Sequence, residues 1–366
     1  MPPEEARLLQ RHRAFLERAA TDRPLLGCNV GFFVNERFPR VMQAIPPGVV
    51  SPEHLRLDLF LQDCEQLYQD YRKIGDDYPY AAAPFSGLPW MEAIMGCPIV
   101  SSPTSLWAEP CIDGWDSWHW QRPEVAANPW GQKLLELMMG LVELSAGRFP
   151  TAPTLMRGPS DMIAAMRGAG NLALDVMDSP ETVTRAAELC AKVWVEVGKA
   201  QLACIPDSPQ GYVAGDHGLR VWAPERIIWL QEDAMALLSP ATYREVFLPV
   251  DRHIARQFPW VAFHLHASAL WAVDELARVP EIHIVELNQE EAACDIEAVF
   301  AGWHKLQAHK PCVIWRPYQP DFWEWLERVL GEFPPEGLSI QTTARSGVEA
   351  SQVAVGFDSA LAARGR

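Results

Sequence analysis

The sequence lacks the long apolar run that a membrane-spanning helix needs. None of its stretches reaches about 18 consecutive apolar residues, the length with which a helix crosses a bilayer. Its first residues, Met1 to Glu5, carry proline and acid where a secretion signal has a basic start and an apolar stretch. The two absences predict a cytoplasmic protein that does not enter a membrane.

Positive charge is also scarce. The chain has 31 basic and 47 acidic residues, which gives a formal net charge of −16. Such a balance opposes nonspecific attraction to the phosphates of nucleic acids or to anionic lipid surfaces. A nucleic-acid partner and a membrane partner are therefore not expected, whereas a protein with a local positive patch remains compatible.

Cysteine pairs of the Cys-x-x-Cys type are absent. The eight cysteines are scattered at positions 28, 64, 97, 111, 190, 204, 294 and 312. In a chain of this length, the spacing predicts reduced and mostly buried thiols instead of a disulfide framework.

Tryptophan, in contrast, is frequent, with 15 residues in 366. Large rigid rings suit core packing, or the walls of a pocket for a flat organic ligand. For any single tryptophan packing is the favoured interpretation, and Trp222 is predicted as a substrate contact.

Nucleotide-binding motifs are missing after every predicted strand, so nothing supports a doubly wound nucleotide-binding sheet. The chain has instead four successive strand–helix units, whose predicted strands are Trp260–His266, Ile282–Leu287, Cys312–Trp315 and Leu338–Thr342. Helices are predicted over residues 268–278, 293–309, 320–331 and 346–354. Short strands that alternate with helices predict a parallel sheet, and the length of the chain favours a (β/α)8 TIM barrel.

The N-terminal third is less regular. A helix over residues 7–20, a strand at Asn29–Val34 and a helix over residues 51–74 are predicted, followed by a long stretch without periodicity. Long loops of ordinary complexity tend to be functional. We therefore expect segment 1–130 to be integrated with the barrel and to cover its mouth, residues 131–366 to form the main part of the barrel, and the whole chain to form one structural domain.

His264 and His266 are the leading candidates for chemistry. Residues i and i+2 of a strand point to the same side, so the two imidazoles share a face at the C-terminal end of their strand. Barrels hold their active sites at that end, and two histidines need at least one more ligand to hold zinc. Glu286, at the end of the next strand, is predicted as that third ligand. The alternative is that the histidines are packed and hydrogen-bonded without a functional role.

Three acid–base candidates and two arginines complete the set. Asp216 and His217 lie between Gly215 and Gly218, where Asp216 would orient His217 or act as a base, although an ordinary turn is an equal alternative. Asp233 precedes a buried run and is either an acid–base group or part of a solvated loop. Arg157 and Arg345 each follow a strand, where they would bind a carboxylate or phosphate group or form a structural ion pair.

Several segments, in this order and spacing, resemble the uroporphyrinogen decarboxylase superfamily over residues 150–355. They are the Arg-Gly-Pro that begins at Arg157, the stretch from Leu174 to Glu181, the stretch from Leu237 to Tyr243, and Phe247-Leu248-Pro249 followed by a strand that reaches His264. The resemblance implies a (β/α)8 barrel. Members include porphyrinogen decarboxylases, corrinoid-linked methyltransferases and, more distantly, cobalamin-independent methionine synthase.

Within that superfamily the chain is more similar to the methyltransferase branch. It lacks the arginine-rich N-terminal motif of the true decarboxylases in segment 22–40. The methyltransferase branch carries His-x-Cys where this chain has His264-Leu265-His266, and uses zinc to lower the pKa of a thiol acceptor. A later cysteine of the branch has no counterpart in segment 340–344, which predicts a site with harder donors.

The resemblance implies a methyltransferase-like enzyme that transfers a methyl group to or from a small molecule. Zinc would be held by His264, His266 and Glu286, and a corrinoid supplied by a partner protein would carry the methyl group. Asp216, His217 and Asp233 are the catalytic candidates, and Arg157, Trp222 and Arg345 the substrate-binding ones. The alternatives are a metal-independent decarboxylase or lyase of a small cyclic or aromatic acid, and a non-catalytic binding protein. A homodimer is also compatible with the sequence.

Overall fold

A parallel sheet forms the centre of the molecule. The computed structural model describes residues 3–215, 219–289 and 295–364. In chain order, the strands are β1 (Leu25–Val30), β2 (Gly48–Val50), β3 (Ile99–Ser101), β4 (Leu106–Ala108), β5 (Met156–Arg157), β6 (Tyr212–Ala214), β7 (Val221–Ala223), β8 (Ile227–Gln231), β9 (Trp260–His266), β10 (Ile284–Asn288), β11 (Cys312–Pro317) and β12 (Leu338–Ala344). Seven of them pair in the order β1-β12-β11-β10-β9-β8-β5, all in parallel. The predicted α/β class with a parallel sheet is confirmed.

The two edge strands, β1 and β5, are connected through segment 77–82. The backbone N–H of Asp77 donates to the carbonyl of Leu26 in β1 at 2.9 Å. At the other end of the segment, the N–H of Ala152 donates to the carbonyl of Ala82 at 2.8 Å, four residues before β5 begins. The N–H of Ala82 also donates to the carbonyl of Pro150 at 3.1 Å, which makes a parallel bridge between Ala82 and Thr151. Segment 77–82 thus lies where the eighth strand of a barrel would lie.

Helices surround the sheet. They are α1 (Pro3–Glu17), α2 (Val34–Arg37), α3 (Pro39–Ala44), α4 (Leu57–Tyr71), α5 (Trp90–Ile94), α6 (Pro129–Ser145), α7 (Pro159–Arg167), α8 (Ala169–Asp178), α9 (Pro180–Cys204), α10 (Pro240–Thr242), α11 (Leu248–Ala255), α12 (Val273–Leu276), α13 (Ile296–His309), α14 (Phe322–Glu332) and α15 (Gly347–Ala363). A π-helical turn, Tyr243–Phe247, joins α10 to α11. Among the described residues, no helix combines the length and the apolar character that a bilayer span requires.

Local signals explain most helix starts. Asn128 accepts hydrogen bonds from two backbone N–H groups at the start of α6, and Ser239 and Ser346 each accept one at the starts of α10 and α15. Proline occupies the first position of α6, α9 and α10, where a missing N–H costs nothing. These caps and prolines fix the residues at which α6, α9, α10 and α15 begin.

Several predicted elements differ from the structure. The helix predicted over residues 346–354 extends to Ala363 in α15, and the helix predicted over residues 51–74 is a 3₁₀ turn, Pro52–His54, followed by α4. The predicted strand Asn29–Val34 lies instead at Leu25–Val30, because Gly31 adopts a φ of +80° and turns the chain away. The predicted helix over residues 268–278 is a 3₁₀ segment, Ala267–Ala272, followed by the short helix α12. The boundary predicted at residue 130 stays a prediction, with β1 on its N-terminal side taking part in the main sheet.

The hairpin formed by β6 and β7 packs against the inner face of the sheet, near the N-terminal ends of its strands. Ala214, Val221 and Ala223 of this hairpin pack against inward-facing residues of the main strands, among them Ala262 and Ile284. Because strand residues alternate, the face of β9 that carries Ala262 also carries His264 and His266. The hairpin therefore fills the N-terminal end of the interior, and the histidines lie above it at the C-terminal end.

Candidate metal centre

Two histidines and one carboxylate converge at the C-terminal ends of β8 and β9. The Nε2 atoms of His264 and His266 are 3.0 Å apart. Asp233, two residues beyond β8, places Oδ1 3.2 Å from Nε2 of His266 and 3.9 Å from Nε2 of His264. The three potential ligand atoms all lie within 4.8 Å of one another. The prediction that His264 and His266 share a face at this end of β9 agrees with this geometry.

Residues on the neighbouring strand hold the other nitrogen of each imidazole. In the parallel register, Glu286 of β10 is opposite His264, and Asn288 is opposite His266. The carboxylate of Glu286 accepts a short hydrogen bond from Nδ1 of His264. The side-chain amide of Asn288 lies 3.1 Å from Nδ1 of His266. Glu286 therefore contacts the side of His264 that faces away from Asp233, and its prediction as a direct ligand stays a prediction.

These contacts decide which nitrogen of His264 is free for a ligand. Because a carboxylate can only accept, Nδ1 of His264 carries the proton and Nε2 presents its lone pair towards Asp233 and His266. The amide of Asn288 can donate through its nitrogen or accept through its oxygen, so it is compatible with either tautomer of His266. A histidine whose second nitrogen is bound by a carboxylate is a recurring feature of metal sites.

Asp233 is anionic in this setting. Burial raises the pKa of its carboxyl, but the hydrogen bond from His266 and the electrostatic effect of the two imidazoles and of Arg157 lower it by more, so that the net pKa lies well below the usual range. The amide of Gln231 donates to the second carboxylate oxygen. About a third of the Asp233 side chain is exposed, and about a fifth of that of His266. A molecule from solvent can therefore reach the cluster.

Arg157 lies beside the cluster at the end of β5. Its Nη1 is 3.4 Å from Oε1 of Glu92, a fully buried residue of α5, and about half of the arginine side chain is exposed. Burial lowers the pKa of the guanidinium, whereas Glu92, Asp161 and Asp233 raise it, so that the group remains a cation. The predicted substrate-binding arginine is thus close to Asp233, with donors left for an anionic group.

A layer of buried acids lies behind Asp233. The backbone N–H groups of Asp233 and Ala234 donate to Asp161 at 3.1 and 2.6 Å. Glu232 shares a hydrogen bond with Asp251, which also accepts from Tyr243 at 2.7 Å. Burial raises the pKa of Asp251 to about 7, although the bonds from Glu232 and Tyr243 lower it. At neutral pH this pair of carboxyl groups therefore holds a proton.

The Glu232–Asp251 pair predicts a pH dependence of stability. The folded chain keeps a proton on Asp251 up to about pH 7, whereas an unfolded aspartate releases it near pH 4. The folded state therefore binds more protons across this window, and the free energy of unfolding falls as the pH rises. Asp251 contributes at most about 1.4 kcal/mol per pH unit, and Glu232, whose pKa burial also raises, adds to the same fall. Asp251→Asn, which carries no titrating proton, is expected to show a shallower fall. Urea unfolding between pH 5 and 7.5 measures both slopes.

The control for that experiment is Asp274→Asn. Asp274 is an exposed residue paired with Lys305, whose hydrogen bond lowers the pKa of the carboxyl and puts its titration below this pH window. Its substitution should leave the slope between pH 5 and 7.5 unchanged. Equal slopes for the wild type and Asp251→Asn would show that Asp251 does not hold a proton in this pH window.

Trp222 and Arg345 do not join the cluster. Trp222 lies on β7, close to the N-terminal end of β8, where it is buried and donates to the carbonyl of Gln210 at 2.8 Å. It lines a separate cavity of about 480 Å³ next to His12 of α1. Arg345 follows β12 at the C-terminal rim, exposed, with its backbone N–H bound to Glu349. Asp216 and His217 lie outside the described residues. The geometry thus gives Trp222 no part in the site formed by the histidines.

Sequence reasoning missed three residues of the site. Asn288 could have been found, because it follows Glu286 by two positions and so shares its face of β10. Gln231 likewise ends β8 on the face that meets His264. Glu92 carries no such signal, because it reaches Arg157 from a short helix in a segment without periodicity.

The fold is similar to that of a methyltransferase from Methanosarcina mazei. The two structures superpose with a TM-score of 0.65 over 96% of this chain and 99% of that one, at 14% sequence identity. The chain matches no protein-family model and no curated protein sequence. At this identity the likeness establishes a shared fold across nearly the whole of both chains.

Proposed function

We propose that the protein is a metal-dependent methyl-transfer enzyme of the uroporphyrinogen decarboxylase superfamily, with zinc held by Asp233, His264 and His266. One observation carries the proposal: three ligand atoms meet at the C-terminal ends of parallel strands, and a buried carboxylate turns Nε2 of His264 towards them. The methyltransferase with the same fold supports the reaction class.

The donor set fits zinc at a catalytic site. Such sites commonly use three protein ligands, two histidines and one carboxylate among the known combinations, and leave room for a substrate. Compared with the predicted ligand set, Asp233 takes the place of Glu286, which positions His264 instead. Ferrous iron accepts the same donors, so metal identity is an outcome of the experiment below. When bound, zinc would act as a Lewis acid that lowers the pKa of a thiol or hydroxyl acceptor.

The chain's own residues would bind and orient the substrate. Arg157, with half of its side chain exposed next to Asp233, would bind an anionic group of the acceptor. Oδ2 of Asp233, the carboxylate oxygen that faces Gln231 and not the histidines, would accept the proton that the acceptor releases. A corrinoid presented by a partner protein would approach from the C-terminal rim, where Phe32 and Phe33 beyond β1 are about half exposed.

Metal content tests the site. Purified wild-type protein is expected to hold near-stoichiometric zinc by elemental mass spectrometry, and His264→Ala, His266→Ala and Asp233→Ala are each expected to lose more than about tenfold in affinity. The matched control is His253→Ala, which removes an exposed histidine of α11. Metal-free wild type that fails to bind added zinc, or variants that bind as the wild type does, would rule out this site. Stoichiometric iron would keep the ligands but reject the zinc assignment.

Turnover separates the proposed reaction from its rival. Methyl transfer predicts that zinc-loaded protein consumes methylcobalamin in the presence of a thiol or hydroxyl acceptor, followed by its absorbance, and that a chelator stops the reaction. A metal-independent lyase would instead release carbon dioxide from a small carboxylic acid bound by Arg157, regardless of chelator. In both cases Arg157→Ala is expected to raise the KM for an anionic substrate, whereas only the lyase keeps its rate without metal.

A further inference from the structure

A second reactive feature lies outside the proposed metal centre. The hairpin of β3 and β4 brings Cys97 and Cys111 together at its open end, with their sulfur atoms 3.5 Å apart. We propose that these two residues are an oxidative modification site, at which hydrogen peroxide or a related hydroperoxide converts the thiols into a reversible disulfide.

The backbone explains why the two thiols meet. Ile99 pairs with Ala108 in the antiparallel hairpin, and the N–H of Glu109 donates to the carbonyl of Pro98 at 2.8 Å, so that the pairing continues to the position next to Cys97. Both cysteines lie a few residues beyond the paired strands, on the two chains of the hairpin, and its register would place Cys97 opposite Pro110, the residue before Cys111. The hairpin thus brings the two cysteines close, and the backbone bonds of each cysteine decide that their sulfur atoms meet.

Both cysteines are anchored at the backbone. The N–H of Cys97 donates to the carbonyl of Glu92 in α5 at 3.0 Å. The N–H of Cys111 donates to the carbonyl of Met166 in α7 at 3.0 Å, and Ile112 donates to the same oxygen at 2.9 Å. These backbone bonds hold the two cysteines in place. Because their sulfur atoms are already 3.5 Å apart, a disulfide needs only a small further approach.

The two thiols differ in the way that an attacking and a resolving cysteine differ. Cys111 is exposed and Cys97 is buried. The hydrogen bond from Cys97 lowers the pKa of Cys111, and the same bond together with burial raises the pKa of Cys97. An accessible thiol with thiolate character next to a protected partner is the arrangement found at redox-sensitive cysteines.

The chemistry balances with one molecule of peroxide. The thiolate of Cys111 attacks one peroxide oxygen, the O–O bond breaks, and the released hydroxide takes up a proton to leave as water, so that Cys111 becomes a sulfenic acid. The sulfur of Cys97 then attacks the sulfur of Cys111, the S–O bond breaks, and the departing hydroxide takes the proton of the Cys97 thiol to leave as a second water. The two thiols have lost two protons and two electrons, which reduce the peroxide to two waters.

The site connects to the proposed metal centre through α5 and α7. The helix that Cys97 follows carries Glu92, the partner of Arg157. The helix that Cys111 contacts carries Asp161, which accepts from the backbone of Asp233. A disulfide would thus tie together the two helices that hold these residues. The proposal itself concerns the thiols only, and it stands whether or not the chain binds zinc.

Peptide mapping after peroxide treatment tests the proposal. The folded wild-type protein is treated with a small excess of hydrogen peroxide, its remaining thiols are blocked with N-ethylmaleimide before unfolding, and the digest is analysed without reductant. A peptide pair joined through Cys97 and Cys111 is expected, with an intact mass lower by two hydrogen atoms and full recovery after dithiothreitol. Oxidation of Cys111 to sulfinic or sulfonic acid without linkage, linkage to another cysteine, or two thiols that survive the treatment would each overturn the proposal.

Three variants sharpen the result. Cys97→Ser should leave Cys111 as a sulfenic acid that dimedone traps, and Cys111→Ser should leave Cys97 unmodified at the same dose because it is buried. Cys204→Ser is the matched control, since it removes a half-buried lone thiol of α9 and should leave the linkage at wild-type yield. Circular dichroism checks that each variant is folded. A Cys97→Ser protein in which Cys111 resists dimedone would also contradict the proposal.

Discussion

Replacing Arg220 with leucine is expected to lower the free energy of unfolding by about 3–5 kcal/mol, measured by urea denaturation at pH 7. Arg220 is fully buried next to β1, where its guanidinium donates to Asp76 at 2.6 Å and to Asn29 at 2.9 Å. Its remaining donors bind the backbone carbonyls of Cys28, Tyr78 and Pro79. Leucine would leave the buried carboxylate of Asp76 without its cation and several carbonyls without a donor, and both are costly.

Two further variants identify the cause of that loss. Arg220→Lys keeps the positive charge but not the planar fork of five donors, so it should recover only part of the stability. Adding Asp76→Asn to Arg220→Leu removes the uncompensated charge and should restore stability relative to the single variant. Arg345→Leu, at an exposed position of the rim, serves as the control that should change stability little. If Arg220→Leu unfolds at the same urea concentration as the wild type, the buried guanidinium does not stabilise the fold.

Arg220 directly precedes β7, in a hairpin whose place in the fold the sequence could not predict. The strand–helix units after residue 258 have regular periodicity, and the predicted strand Trp260–His266 agrees with β9 at both ends. The short strands β6 and β7 have three residues each, too few for a periodic signal. That the hairpin packs inside the sheet depends on contacts with Ala262 and Ile284, which are distant in sequence.

The candidate site was predictable in part for the same reason. Alternation along one strand was enough to place His264 and His266 together. The ligand set, however, depends on how β8, β9 and β10 are aligned, because the register decides that Glu286 is opposite His264 and leaves Asp233 to approach from the loop after β8. A single strand carries no information about that register, so the sequence assigned one carboxylate to the metal and the geometry favours another.

Changing Glu286 to glutamine is expected to weaken zinc binding by about 10- to 100-fold, which rests on the proposed metal centre. Glu286 is fully buried and accepts a hydrogen bond from the Nδ1–H of His264. This bond fixes the tautomer that presents Nε2 to the metal. A neutral amide is a weaker acceptor than a carboxylate, and its NH2 group can donate to Nδ1 and stabilise the opposite tautomer. Competition with a chromophoric chelator at pH 7.5 measures the dissociation constant of each protein.

Cobalt substitution distinguishes positioning from direct ligation. If Glu286 acts through His264, the cobalt-loaded Glu286→Gln protein should keep the visible band positions of the wild type, because the atoms that bind the metal are unchanged. If Glu286 is itself a ligand, as the sequence alone predicts, those bands should shift as the donor changes. Glu275→Gln, which alters a surface residue paired with Arg244, is the control and should retain wild-type affinity.

A third variant tests whether the charge of Glu286 or only its size is required. Glu286→Asp keeps the carboxylate but shortens the side chain, so its zinc affinity should lie between those of the wild type and Glu286→Gln. An affinity for Glu286→Gln equal to that of the wild type would reject the positioning role while leaving Asp233, His264 and His266 as ligands. Loss of zinc binding only in variants of those three residues would then show that the imidazole of His264 is oriented by β9 itself.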